Sequence, residues 1–238
     1  MKIMNYEVFV DELDTIDLEN KKVINTINPH SYITAMSDKY FNEALQESDL
    51  LIPDGSGIVL AAKHIYNSNI KKIAGADLHN FLLNKMDEKS GTVFYMGASQ
   101  KTLDKIEEKI KLEFPNVSVQ SYSPPFKAKF SKEENDIIVS KINAFNPDVL
   151  FIGMTAPKQE KWLHEHKEQL NFKVASSIGA VFDFFAGTVE RPSQFWLDLH
   201  LEWLPRLLKE PKRLWRRNFV STPLFLFEIF LFKIKVKK

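Results

Sequence analysis

The chain has 238 residues, 44% of them hydrophobic, no cysteine and a formal net charge of +1. That is enough apolar content for one sizeable core, and it excludes disulfides and thiolate metal sites. The charge is unevenly spread: residues 205–238 hold ten Lys/Arg against Glu210 and Glu228, so they carry +8 and the first 204 residues carry −7. A nucleic-acid-binding protein would spread basic residues over its folded body, so this division points instead to an anionic surface met by the tail, with no nucleic acid partner.

Met1 to Leu13 carries Glu7, Asp11 and Glu12 where a signal peptide needs an unbroken apolar run, which predicts a cytoplasmic protein. Between Val10 and Thr26 the pattern allows only a short helix over Asp14–Asn20. Val23-Ile24 and Leu50-Leu51-Ile52 read as short buried strands, each followed by a Pro or Gly break and a helical pattern. Thr26, Asn28 and Asp54 therefore fall at strand carboxyl ends, where α/β enzymes hold their chemistry. Thr92–Gly97 is the next strand, followed by a helix over Ser99–Glu113 with Leu103, Ile106, Ile110 and Phe114 on one face. Val117–Val119 gives another strand, and Ser131 with Glu134 forms a capping box that opens a helix to Phe145. A strand at Asp148–Gly153, a helix from first-turn Pro157 to Gln169 and a strand at Lys173–Ile178 complete the alternation. The fold class is α/β: a Rossmann-like parallel sheet with helices on both faces.

Gly97, Gly153 and Gly179 close three of these strands, and glycine there serves either close approach to a ligand or a tight turn. Neither a Gly-x-Gly-x-x-Gly fingerprint nor a Walker loop is present, which disfavours a dinucleotide or ATP site. The chain has no Asp-x-Asp pair to clamp a divalent ion and no Gly-x-Ser-x-Gly elbow, so neither a metal nor a serine nucleophile is expected. His164 and His166, two apart on a helix, face different ways and read as solvated.

In the tail, Arg206, Lys209, Arg213, Arg216 and Arg217 recur at roughly helical spacing among Trp203, Leu207, Leu208, Leu214 and Trp215. Such a basic amphipathic helical appendage suits an anionic membrane surface. The apolar run Leu224–Phe232 is far short of the roughly 20 residues that span a bilayer, so shallow insertion is expected. Residues 1–204 are read as the catalytic-type domain and 205–238 as the membrane-associating appendage. A homo-oligomer would use the same apolar residues, and the sequence leaves that open.

Seven blocks occur in an order that resembles the WecG/TagA/CpsF glycosyltransferases, glycosyltransferase family 26. They are Thr26-Ile27-Asn28, Pro53-Asp54-Gly55, Gly75-Ala76-Asp77-Leu78, Ser123-Pro124-Pro125-Phe126, Ala156-Pro157-Lys158-Gln159-Glu160, Phe182–Gly187 and Leu201-Glu202-Trp203-Leu204. The resemblance implies inverting, metal-independent transfer of N-acetylmannosamine or a related sugar, uronic acids included, without a cofactor. The donor would be a UDP-sugar and the acceptor a sugar linked to undecaprenyl diphosphate, at the cytoplasmic face of the cell membrane. It gives Asp54 the role of general base, Thr26 and Asn28 that of orienting the substrate, and Gln159 a contact near the reacting sugar. Asp183 could accept hydrogen bonds from a ligand or brace a loop. Arg206, Arg213 and Arg216 match residues that meet the lipid diphosphate. Where the family usually has Arg, this chain has Lys71-Lys72; Lys72 keeps the charge but not the planar fork. On residues alone, Asp54 could instead cap a helix, Thr26 and Asn28 could serve a turn, and Gln159 could be an exposed helical residue. A non-catalytic scaffold that gathers polysaccharide enzymes at the membrane is the alternative function.

Overall fold

The computed structural model describes residues 1–189, 196, 203–209 and 211–236. A two-stranded antiparallel hairpin, β1 (Lys2–Ile3) and β2 (Tyr6–Glu7), leads into a six-stranded sheet. Its strands are β3 (Lys22–Ile27), β4 (Leu50–Pro53), β5 (Thr92–Gly97), β6 (Ser118–Tyr122), β7 (Val149–Gly153) and β8 (Val174–Ser177). They lie in the order β4-β3-β8-β7-β5-β6, every pairing parallel. Parallel strands covered on both faces need apolar residues on both, which explains the continuous runs Leu51-Ile52, Val93–Met96 and Val149–Ile152.

One face packs Ile24, Ile52, Val93, Tyr95 and Phe151 against α4 (Gly75–Lys89), α5 (Gln100–Glu113) and α8 (Gly179–Phe185). The alternating residues Val23, Phe94, Leu150 and Ala175 meet α6 (Lys132–Phe145) and α7 (Lys158–His166). Further along that face, Ile27 and Leu51 meet α1 (Pro29–Ser37), α2 (Lys39–Gln46) and α3 (Ser56–Tyr66). The Ser131 capping box forms as read: the Ser131 hydroxyl accepts from the Glu134 N–H, and the Glu134 carboxylate accepts from the Ser131 N–H at 2.7 Å.

Three local readings need correction. The helix expected over Asp14–Asn20 is only a single 3₁₀ turn, Leu13–Thr15. The Asp17 carboxylate accepts from the Glu19 N–H and the Asn20 amide, a local turn that competes with helix. β6 runs to Tyr122 rather than stopping at Val119, and α7 stops at His166, with Pro157 at its N-cap after a cis Ala156–Pro157 bond.

The carboxyl-terminal part is helical: α9 (Trp203–Lys209), α10 (Pro211–Arg216), a π turn (Arg217–Ser221) and α11 (Thr222–Val236). Phe225, 0% exposed, and Ile229 on α11 join the cluster of Tyr32, Ile58, Ala61 and Ala62. The rings of Phe225 and Tyr32 meet edge to face at 5.2 Å. The opposite side of α11 leaves Leu226, Phe227, Phe230 and Ile234 exposed. Among the described residues no helix is long and apolar enough to cross a membrane.

Candidate active site

The carboxyl ends of β3 and β4 are neighbours: Thr26 pairs with Ile52, Ile27 with Pro53, and the Asp54 N–H donates to the Ile27 carbonyl at 2.9 Å. This brings Thr26, Asn28 and Asp54 to one strand-end junction. Strand alternation puts Thr26 on the same face as Ile24. Asn28 is the N-cap of α1; its Oδ1 accepts from the N–H groups of His30 and Ser31, each at 3.0 Å. The turn role therefore holds for the Asn28 oxygen, and only the amide hydrogens could serve a ligand. Asp54 does not occupy the N-cap of α3, a position that falls to Gly55 at φ 101°.

Lys72 reaches the same place by its backbone. The Ile73 N–H donates to the Pro53 carbonyl at 3.1 Å, which sets Lys72 beside the Asp54 end of β4. A Cβ on Gly75 would touch Ile178 and Val181 at 3.4 Å, so the start of α4 abuts the end of β8 and the start of α8. From there the rim continues to α7: the Gly179 N–H donates to Gln159 Oε1 at 3.1 Å. Gln159 is 5% exposed and not the solvated helical residue its type suggests. Its Nε2 donates to Glu160 Oε1 at 2.8 Å. Burial pushes the Glu160 carboxyl up to about 7, with the Gln159 hydrogen bond opposing part of that rise.

Neighbouring helices hold α7 in place. Lys161 pairs with Asp38 of the α1–α2 junction at 2.8 Å, and the Trp162 indole donates to Asn135 of α6 at 2.9 Å. Lys158 donates to the Lys127 carbonyl at 2.6 Å and lies 3.7 Å over the Phe130 ring, which ties the loop after β6 to the same helix. The histidines further along α7 are not solvated. His166 is buried, stacked on Trp162 at 4.7 Å with Nδ1 at 2.9 Å from its carbonyl, and His164 lies 3.8 Å from Glu47. They do take different directions.

Packing explains the strand-end glycines. A Cβ on Gly97, at φ +113°, would lie 2.6 Å from the Gly153 carbonyl oxygen, and one on Gly179 would lie 2.1 Å from that of Met154. Asp183 sits in α8, where its carbonyl and carboxylate both accept from the Thr188 hydroxyl, the loop-brace arrangement. The side chains of Arg206 and Arg213 lie outside what the structure describes, as do Leu201 and Glu202. Arg216 is exposed. It lies close enough to His30 that burial, then Arg217 and Arg216, lower the His30 pKa. His30 Nδ1 also meets the Ser221 hydroxyl at 2.8 Å, so the π turn docks two residues from Asn28. A depression lined by Glu7–Asp11, Leu45, Gln46 and Ser48–Leu51 lies at the other, amino-terminal end of β4 and carries none of these residues.

The model of the WecG/TagA/CpsF glycosyl transferase family matches residues 1–238. The chain belongs to this family. It is 35% identical over 211 residues to the N-acetylglucosaminyldiphosphoundecaprenol N-acetyl-beta-D-mannosaminyltransferase of Bacillus spizizenii, covering 88% of this chain and 80% of that protein. The protein of the same name from Bacillus subtilis is 31% identical, with 90% and 82% covered. That from Staphylococcus aureus strain MW2 is 28% identical, with 92% and 84% covered. For a member of this glycosyltransferase family, the rim from Asp54 through Lys72 and Gly179 to Gln159 lies where an open α/β sheet takes its ligands. Sequence reasoning passed over Glu160. An acid in the first turn of a helix reads as a partner for the helix dipole, and only its burial marks it as more.

Proposed function

We propose that this protein is an inverting, metal-independent glycosyltransferase. It moves N-acetylmannosamine, or a related sugar, from a UDP-sugar to N-acetylglucosamine carried on undecaprenyl diphosphate, in cell-surface polysaccharide synthesis. The observation that carries the reading is the junction of β3 and β4, where Asp54 adjoins Asn28 and the Lys72 segment. The names of the bacterial relatives support the two sugars and the lipid diphosphate. In the reaction, an acceptor hydroxyl oxygen forms a bond to the anomeric carbon as the bond from that carbon to the β-phosphate oxygen breaks. UDP leaves with the electron pair, Asp54 takes the hydroxyl proton, and the single displacement inverts the carbon. Lys72 offsets charge on the departing diphosphate, and Thr26, Asn28, Gln159 and Asp183 orient the sugars. Arg206, Arg213 and Arg216 meet the diphosphate of the lipid acceptor. The absence of an Asp-x-Asp pair supports chemistry without a metal.

The enzyme works as a peripheral protein on the cytoplasmic membrane face, and residues 205–238 hold it there. The test is a panel of UDP-sugars with a lipid-diphosphate acceptor, run with and without chelator. Transfer that persists in chelator and falls by about 100-fold in a folded Asp54→Asn variant is expected. No transfer from any donor sinks the reading; collapse in chelator with recovery on added magnesium sinks its metal-free part.

A further inference from the structure

Gln159 is held at both ends. Its Oε1 accepts from the Gly179 N–H at 3.1 Å and its Nε2 donates to Glu160 Oε1 at 2.8 Å. A half-turn of the amide would set NH2 against the Gly179 N–H and, whenever Glu160 is ionised, oxygen against a carboxylate oxygen, so the Gly179 bond is lost in either state. What Gln159 can still offer a ligand is therefore fixed: one amide hydrogen and one oxygen lone pair.

Glu160 is 5% exposed, and its second oxygen, Oε2, is buried without a hydrogen-bond partner. A second observation stands beside this. Ser177 Oγ and Asn25 Oδ1 are also buried and unpartnered, and alternation along β8 and β3 puts them on the face of Ala175 and Val23, against which α7 packs Trp162 and Leu163. Ser176 Oγ, on the opposite face of β8, is likewise buried and unpartnered, so what sets Glu160 apart is that its other oxygen holds Gln159.

We propose that Glu160 is a positioning residue for the transfer reaction: by accepting one amide hydrogen of Gln159, its buried carboxyl fixes the other hydrogen and the free lone pair toward the reacting sugar. This rests on the glycosyl-transfer reading and deepens it. Glu160 touches no substrate; it acts through Gln159, on a helix that Asp38 and Asn135 lock from two sides.

The test uses the full chain with Glu160→Gln, which keeps an acceptor oxygen, and Glu160→Met, which fills the same volume without one. The Gln variant loses about threefold in kcat. The Met variant loses about 10- to 100-fold in kcat with little change in donor KM, as expected for a misaligned contact at the reacting centre. Its Tm falls by a few degrees at most, because the apolar side chain suits the surroundings while Gln159 Nε2 loses one buried acceptor. Side-chain amide NMR gives a readout apart from activity: the Gln159 amide protons exchange slowly with solvent in the wild type, and in the Met variant they exchange faster and the one that met Glu160 shifts upfield. Wild-type kcat in the Met variant, or a kcat loss that follows Tm while the Gln159 signals stay put, overturns the proposal. If the Met variant does not fold, free solvent exchange of the Gln159 amide in the wild type overturns it equally. If the wild type transfers no sugar, the glycosyl-transfer reading fails, and the NMR comparison still decides whether Glu160 fixes Gln159.

Discussion

Loss of solvation holds the Glu160 carboxyl at about 7, above its ordinary 4.5. The folded protein then binds that proton more tightly than the unfolded chain between these two values. Stability from this group is fully present below about pH 4.5, declines as pH rises, and is lost above about pH 7, a difference of roughly 3 kcal/mol. Asp17, Glu19 and Asp38 are shifted down, so their contributions run the other way at lower pH. The quantity to measure is therefore the difference in unfolding free energy between wild type and Glu160→Gln from pH 4.5 to 8. It should move in favour of the variant as pH rises; a flat difference would show that Glu160 titrates normally. Asp54 and Glu160 also show how far a sequence reaches at single residues. Asp54 was legible because a Pro-Asp-Gly break after an apolar run marks a strand end. The orientation of Gln159 was not, because burial of α7 depends on Asp38 and Asn135, 121 and 24 positions away in the chain.

The element that sets the rim is the turn from β8 into α8. Gly179 lies so close to the Met154 carbonyl that a methyl group there would sit 2.1 Å from its oxygen and 2.7 Å from Gln159 Oε1. Backbone cannot yield as a flexible side chain can, so Gly179→Ala should destabilise the fold by about 1–3 kcal/mol and push α7 away from β8. Denaturant unfolding measures the first effect, and loss of the slow-exchanging Gln159 amide signals the second. Wild-type values for both would mean the turn relaxes freely. The helices α5 and α6 and the strands β5 and β7 were readable in sequence because their apolar patterns are unambiguous, and the parallel sheet followed from their alternation, whereas α4 was not among the elements read. The β1–β2 hairpin, two residues per strand, is too short to show a period, and Asp17 turns aside the helix expected at 14–20. The spatial order of strands came from packing, which local pattern does not encode.

At the scale of the whole molecule, α11 divides its apolar residues between two environments. Phe225 and Ile229 complete the cluster over α1 and α3, while Phe227 and Phe230 are 56% and 58% exposed, near Trp215 and Phe219 in sequence and likewise exposed. An exposed aromatic face flanked by Arg216, Lys233 and Lys235 suits a lipid surface, where aromatic insertion and roughly 1 kcal/mol per basic residue act together. Deleting α11 would confuse this with the fold, since it would uncover Tyr32 and Ile58. Substitutions separate the two roles. Phe225→Ala should cost about 3–5 kcal/mol of stability by opening a cavity beside Tyr32. The double change Phe227→Ser with Phe230→Ser should leave stability within about 0.5 kcal/mol per site. The double variant should nonetheless cease to float with anionic vesicles at low salt, while still transferring sugar to a short-chain, water-soluble acceptor. Wild-type flotation should itself fall with added salt, as charge screening requires. If the double variant floats like the wild type, the exposed face is not what meets lipid. If it instead changes sedimentation while flotation stays, the face belongs to a second copy of the chain.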